Sequence, residues 1–162
     1  MSKRDALPYE ITHNVRDTCL CLRVQRAARA LARRFDAVLR PTGLTNEQYS
    51  LLMALNRPRP PQMKEVAALL GADRTTLTAA LKPLIRDGLV ELLHDANDAR
   101  VRRPALTPLG HAQLSAALPL WTAAHSALEA ELGDIGPDEL RRGLKTLAGL
   151  PDTALDPAPC AT

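Results

Sequence analysis

The run from Gln62 to Gly110 constrains the chain most, because its apolar period is helical up to Gly88 and gives way to β segments after it. Met63, Val66, Ala67 and Leu70 recur at helical spacing and end at Gly71. Asp73 offers a side-chain oxygen to start the next helix, whose expected buried stripe is Leu77, Leu81 and Ile85, and Gly88 ends it. Two β segments follow, Leu89–Leu93 and Val101–Leu106, around the turn-rich tip His94-Asp95-Ala96-Asn97-Asp98-Ala99-Arg100. Helix, tight turn, capped helix and hairpin in that order predict a winged helix-turn-helix with a small β-hairpin wing.

Helical sequence flanks this unit on both sides, so the fold class is mainly α. A first helix is expected from Asn14 to Arg40, with Leu20, Val24, Ala27, Leu31, Phe35 and Val38 as one apolar stripe. Pro41 stops it. Thr45-Asn46-Glu47-Gln48 is a capping box for a second helix carrying Tyr49, Leu52, Met53 and Leu55, broken by Arg57-Pro58-Arg59-Pro60-Pro61. After the hairpin, Thr107-Pro108 opens a fifth helix lined on one face by Leu114, Leu118, Trp121, His125, Leu128 and Leu132, with a kink or early break expected at Pro119. Gly136-Pro137 starts a sixth, with Leu140, Leu144 and Leu147 as its buried edge. The expected organisation is an N-terminal helix (1–44), a winged helix-turn-helix (45–107), C-terminal helices (108–150) and a disordered tail (151–162).

Several function classes are excluded at this level. Hydrophobic residues form 46% of the 162 but aromatics only 2%, a mix that favours helices over a β-sandwich. No apolar run approaches the roughly 20 residues that span a bilayer, and polar sequence follows Met1, so no membrane association and a cytoplasmic location are expected. Cys19, Cys21 and Cys160 make no disulfide framework, no Cys-x-x-Cys or His-x-x-x-His pair suits a metal, and no phosphate loop or nucleophile elbow is present. Neither an enzyme nor a cofactor is expected. Net charge is +3, but Lys and Arg outnumber acids nine to four in 1–44 and nine to six in 57–103, while acids lead seven to three after 104. That polarity suits an anionic partner.

The second helix of such a unit presents its N-terminal side chains to the major groove. With Leu77, Leu81 and Ile85 inward, Arg74, Thr75, Thr76, Thr78 and Lys82 face outward. Thr hydroxyls bond base edges or phosphates and Thr methyls pack on thymine; Arg74 suits guanine or phosphate, and Lys82 the backbone. Gln62 and Lys64 are placed for phosphate contact at the preceding helix start. Pro83 is expected to bend the helix beyond its reading end. In the wing, Arg100, Arg102 and Arg103 suit a narrow minor groove, with Asp98 orienting Arg100. The plainer alternative for each residue alone is a solvated surface.

At these residues the chain resembles the MarR family of winged helix-turn-helix transcription regulators. The likeness covers about Cys21 to Leu132. It rests on Arg29, Gly43-Leu44-Thr45-x-x-Gln48-Tyr49-x-Leu51-Leu52, Val66-Ala67-x-Leu69-Leu70 and Asp73-Arg74-Thr75-Thr76-Leu77-Thr78. It continues through Gly88-Leu89-Val90, Asp95-x-x-Asp98-x-Arg100 and Leu106-Thr107-x-x-Gly110. The resemblance implies a homodimer held by the first, fifth and sixth helices, a pseudo-palindromic double-stranded DNA operator, and repression relieved by a small ligand or an oxidant.

For the effector the readings stay open. Aligned through Arg29, Cys21 falls where the hydroperoxide-sensing branch of the family carries its reactive thiol, but Gln25, Phe35 and Asn46 replace that branch's tyrosines. Cys19 and Cys21, two apart on one expected helix, would point about 200° apart and could not bridge. An inert packed thiol is the favoured reading, and a thiol-based redox sensor using Cys19 or Cys21 is the alternative. Trp121 and His125 suit a pocket for an aromatic acid, or else core and dimer packing. His13 and Arg16 are candidates for its carboxylate.

Overall fold

The computed structural model describes residues 7–95, 98 and 100–149. The elements run α1 (Tyr9–Thr18), α2 (Leu20–Leu39), a 3-10 turn (Arg40–Thr42), α3 (Asn46–Leu55), α4 (Met63–Leu70), α5 (Arg74–Arg86), β1 (Val90–His94), β2 (Arg102–Leu106), α6 (Pro108–Glu131) and α7 (Pro137–Ala148). The chain is mostly helical, with one antiparallel two-stranded sheet among the described residues. The expected tail, with Cys160, lies outside the described residues, as do Ala96, Asn97 and Ala99 at the hairpin tip.

Two compact units divide at Arg34 and Phe35. In the first, the single expected helix is two helices, starting earlier at Tyr9 and interrupted at Cys19. Cys19 has extended backbone (φ −70°, ψ 106°); its N–H still donates to the Val15 carbonyl at 2.9 Å. Its sulfur accepts from the Leu22 N–H at 3.4 Å, a thiol standing where an N-cap oxygen usually does. The Arg23 guanidinium then binds the Asp17 carbonyl, with Nη2 at 2.7 Å, and satisfies an acceptor at the end of α1. The apolar stripe of α2 is exposed at Leu20, Val24 and Leu31 and becomes buried only at Phe35 and Leu39.

The second unit is built on a leucine-rich core. The 3-10 turn through Pro41 ends at Gly43 in the left-handed region (φ 73°). The capping box forms as expected: the Gln48 N–H donates to the Thr45 hydroxyl at 3.2 Å, and the Gln48 side chain accepts from the Thr45 N–H at 2.9 Å. Tyr49, Leu52 and Leu55 of α3 are buried while Met53 is exposed. In α5 the inward residues are Leu77, Leu81 and Leu84; Ile85, expected in that stripe, is 36% exposed. The spacing 77, 81, 84 tracks a helix face as well as 77, 81, 85 does, and the core selects the former. Both α5 and α6 continue through their prolines, Pro83 and Pro119, so the early break does not occur. Leu114 and Ala117 form the buried face of α6, whereas Leu118 is 45% exposed. Leu140, Leu144 and Leu147 of α7 are exposed in the single chain instead of forming a buried edge.

The strands begin one residue later than expected and pair from Val90 opposite Leu106 to His94 opposite Arg102. Thr107 joins this hairpin to α6. Its hydroxyl donates to the Gly88 carbonyl at 2.7 Å and accepts from the Gly110 N–H at 3.0 Å, while its own N–H donates to the Leu89 carbonyl at 3.1 Å. A Cβ at position 110 would lie 2.1 Å from the Leu89 carbonyl oxygen, which gives the Leu-Thr-x-x-Gly sequence a steric cause. Gly110→Ala is therefore expected to lower stability by roughly 1–3 kcal/mol. Gly143→Ala, in open space inside α7, should raise it by about 0.5–1 kcal/mol. Urea midpoints of the two variants check the opposite signs.

Candidate nucleic-acid interface

The turn between α4 and α5 fixes the start of α5. Glu65 accepts from the Gln62 N–H at 2.6 Å at one end of α4, and Gly71 (φ 62°) closes the other, with the Ala72 N–H donating to the Ala67 carbonyl at 2.9 Å. Asp73 then caps α5: Oδ1 accepts from the Thr76 N–H at 2.7 Å and Oδ2 from the Thr76 hydroxyl at 2.9 Å. These bonds, the Thr76 amide first, with the Thr75 amide adding to them, hold the Asp73 carboxyl below its ordinary range. With Leu77, Leu81 and Leu84 inward, Arg74, Thr75, Thr76, Thr78, Ala79 and Lys82 are all exposed.

Their hydroxyls differ in availability. Thr76 donates to its cap and Thr78 donates to the Arg74 carbonyl at 2.7 Å. Among the described residues, the Thr75 hydroxyl has no intramolecular partner, which leaves it for an external acceptor or donor. Lys64 is exposed and Gln62 half-buried at the N-terminus of α4.

In the hairpin, the Asp98 carboxylate accepts from the Arg100 backbone N–H at 2.9 Å. Asp98 thus supports the wing through the main chain, not through the Arg100 guanidinium as expected. The Asp98 N–H donates to Asp95 at 3.2 Å, and the Val101 N–H to the Asp98 carbonyl at 2.9 Å. Arg100 and Arg102 are exposed; Arg102 Nη1 lies 2.5 Å from His94 Nε2. Arg103 departs from the expectation of a free cation. Its guanidinium is bound to the Asp95 carboxylate and to the Pro60 carbonyl, and its side chain is 27% exposed.

The effector candidates fall into two groups that belong to different units. In the first unit, Arg16 is already paired with Asp17 at 2.7 and 2.8 Å, so its guanidinium is committed to a neighbour, and His13 packs edge-on against Tyr9 at 4.5 Å. Cys19 is half-buried and Cys21 exposed, with Gln25 Nε2 donating to its sulfur at 3.4 Å. The interruption at Cys19 removes the helical geometry on which the bar to a Cys19–Cys21 bridge rested.

In the second unit, Trp121 stacks on His125 at 4.5 Å and on Tyr49 at 5.9 Å, and Phe35 adjoins both Trp121 and His125 at 6.4 Å. Most of the chain's few aromatic rings thus gather in one cluster. His125 Nδ1 lies 3.3 Å from Glu129, which also pairs with Arg141. Among the described residues the buried Tyr49 hydroxyl has no hydrogen-bond partner, and burial pushes its pKa up. Tyr49 and Phe35 read as ordinary core in the sequence; nothing there signals an orphan hydroxyl beside an indole. Among the described residues no helix is long and apolar enough to cross a membrane, and no group of three His, Cys, Asp or Glu is arranged to hold a metal.

Comparison with known proteins agrees with this geometry. The model of the MarR family matches residues 42–101. Over 109 residues the chain is 26% identical to the HTH-type transcriptional regulator BilQ of Clostridioides difficile (strain CD3), covering 67% of this chain and 74% of BilQ. Its structure is similar to that of the M. tuberculosis transcriptional regulator MosR in complex with DNA, at 40% identity and a TM-score of 0.74, over 81% of this chain and 94% of MosR. It is also similar to the transcriptional repressor CouR, from Rhodococcus jostii RHA1, bound to a 23-mer DNA duplex: 27% identity, TM-score 0.67, 83% of this chain and 94% of CouR. The chain belongs to the MarR family of winged-helix, DNA-binding transcription regulators.

Proposed function

We propose that the protein acts as a homodimeric repressor of a pseudo-palindromic operator, released when a small aromatic acid binds. The observation that carries the DNA reading is the N-terminal turn of α5, anchored by Asp73 and presenting Arg74 and the unused Thr75 hydroxyl. Thr76, Thr78 and Lys82 extend that surface, Gln62 and Lys64 meet phosphate, and Arg100 and Arg102 enter the minor groove. The region 45–107 reads DNA, and 1–44 with 108–150 pairs the subunits. The exposed apolar positions of α7 and of α2 support pairing with a second copy, since amphipathic helices bury such faces on a partner. Two-fold symmetry then sets the recognition helices about 34 Å apart, one DNA turn.

The aromatic cluster supports the effector reading. A structure of CouR bound to p-coumaroyl-CoA is similar to this chain at 27% identity, and the orphan Tyr49 hydroxyl is a hydrogen-bonding group that a phenolic or carboxylic ligand satisfies.

A thiol switch is the second reading, favoured by the non-helical backbone at Cys19 two residues from exposed Cys21. A hydroperoxide oxidises one thiolate to a sulfenic acid and leaves as an alcohol. The second thiol then displaces water from that sulfur and closes the disulfide.

Three measurements test these readings. Duplexes selected from a random-sequence pool by the full chain should be palindromic. Arg100→Ala should weaken their binding by roughly 1–3 kcal/mol, and Thr75→Val should change base preference; unchanged affinity and preference in both variants defeats the reading surface. Trp121 is the only tryptophan, so aromatic carboxylic acids should alter its fluorescence and release DNA together, and Tyr49→Phe should weaken both responses. A flat fluorescence titration across the series rejects this pocket. In a Cys160→Ser background, cumene hydroperoxide should abolish both remaining thiols and DNA binding; retention of both after treatment rejects the switch.

A further inference from the structure

The loop between α3 and α4 carries Arg57-Pro58-Arg59-Pro60-Pro61, whose evident role is to end a helix. A second role emerges at the wing. Arg103 Nη1 donates to the Pro60 carbonyl oxygen at 2.9 Å while Nε engages the Asp95 carboxylate. Arg103 lies on β2 and Asp95 directly follows β1, so one guanidinium ties both sides of the hairpin to a loop 43 positions earlier. The Asp95 side chain is only 9% exposed. From Asp95 the bonding continues outward: its carboxylate accepts from the Asp98 N–H at 3.2 Å, and the Asp98 carboxylate accepts from the Arg100 N–H at 2.9 Å. An unbroken series therefore runs from the Pro60 carbonyl through Arg103, Asp95 and Asp98 to the main chain of exposed Arg100.

We propose that Arg103 and Asp95 are positioning residues that aim the wing, and that Arg103 does not itself contact DNA. The proposal rests on the reading of the wing as a DNA contact. A two-stranded hairpin is marginal alone, so its direction is set by whatever holds its base. Proline rings at positions 60 and 61 fix φ and present the carbonyl from a stiff backbone. The planar guanidinium supplies two donors in fixed directions, which a lysine ammonium does not reproduce. Paired with Asp95, Arg103 adds no net charge to the wing, and the cations left for DNA are Arg100 and Arg102.

The two roles make opposite predictions for Asp95→Asn in the full-length protein. Losing a negative charge near DNA would tighten binding if charge alone counted. The brace instead requires binding of the selected duplex to weaken about tenfold, because the amide keeps the bond from Asp98 but loses the ion pair. Arg103→Gln should weaken binding similarly, and the double variant no further, as expected for one shared interaction. The slope of log K against log salt should stay unchanged in these variants, whereas Arg100→Ala should reduce it by about one. Equal or tighter binding by Asp95→Asn, or a slope reduced by about one in Arg103→Gln, overturns the proposal. If Arg100→Ala leaves both affinity and slope unchanged, the wing reading itself fails. Hydrogen exchange at the Asp98, Arg100 and Val101 amides then decides the brace alone: faster exchange in both variants supports it, and unchanged exchange overturns it.

Discussion

The roll of α5 about its own axis governs which of its side chains this protein presents to solvent. Leu77, Leu81 and Leu84 are almost fully buried, and each contributes roughly 1.5–3 kcal/mol by leaving water. Turning the helix by one residue, about 100°, would expose that stripe and bring polar neighbours inward. The core therefore selects the outward surface of α5, which is the proposed reading surface: Arg74, Thr75, Thr78 and Lys82 face solvent because three leucines cannot. If α5 reads DNA as proposed, sequence preference and fold stability are coupled through this single helix.

Carboxylates organise the parts that packing does not reach. Asp73 gathers the first amides of α5, and the bonds from Thr76 and Thr75 that form in the folded turn hold its carboxyl below the ordinary range. In the wing, the Asp95 and Asp98 carboxylates likewise accept main-chain N–H groups, those of Asp98 and Arg100. In both places an acid sits beside a surface proposed to meet DNA. Its value is geometric, since each fixes main-chain direction, and Asp95 also binds the Arg103 guanidinium.

The parts legible in the sequence were those whose cause is local. The Thr45–Gln48 capping box, the Asp73 cap and the Gly71 stop each depend on a few adjacent residues and appear where expected. The break at Cys19 carried no such mark, because neither proline nor glycine is present and a thiol acts as the cap. The choice of Leu84 over Ile85 was equally hidden, since helical spacing permits both and only the core decides. Arg103 looked like its neighbours Arg100 and Arg102. Only tertiary structure separates a guanidinium bound to the distant Pro60 carbonyl from two that face solvent.

That acceptor on residue 60 belongs to the peptide group and not to a side chain. Any amino acid there would keep the oxygen, so comparing many related sequences would reveal no paired changes between positions 60 and 103. This tie from the wing to a distant loop leaves no trace at position 60 in the alphabet of the chain, and only its arginine end can be lost by a single codon change.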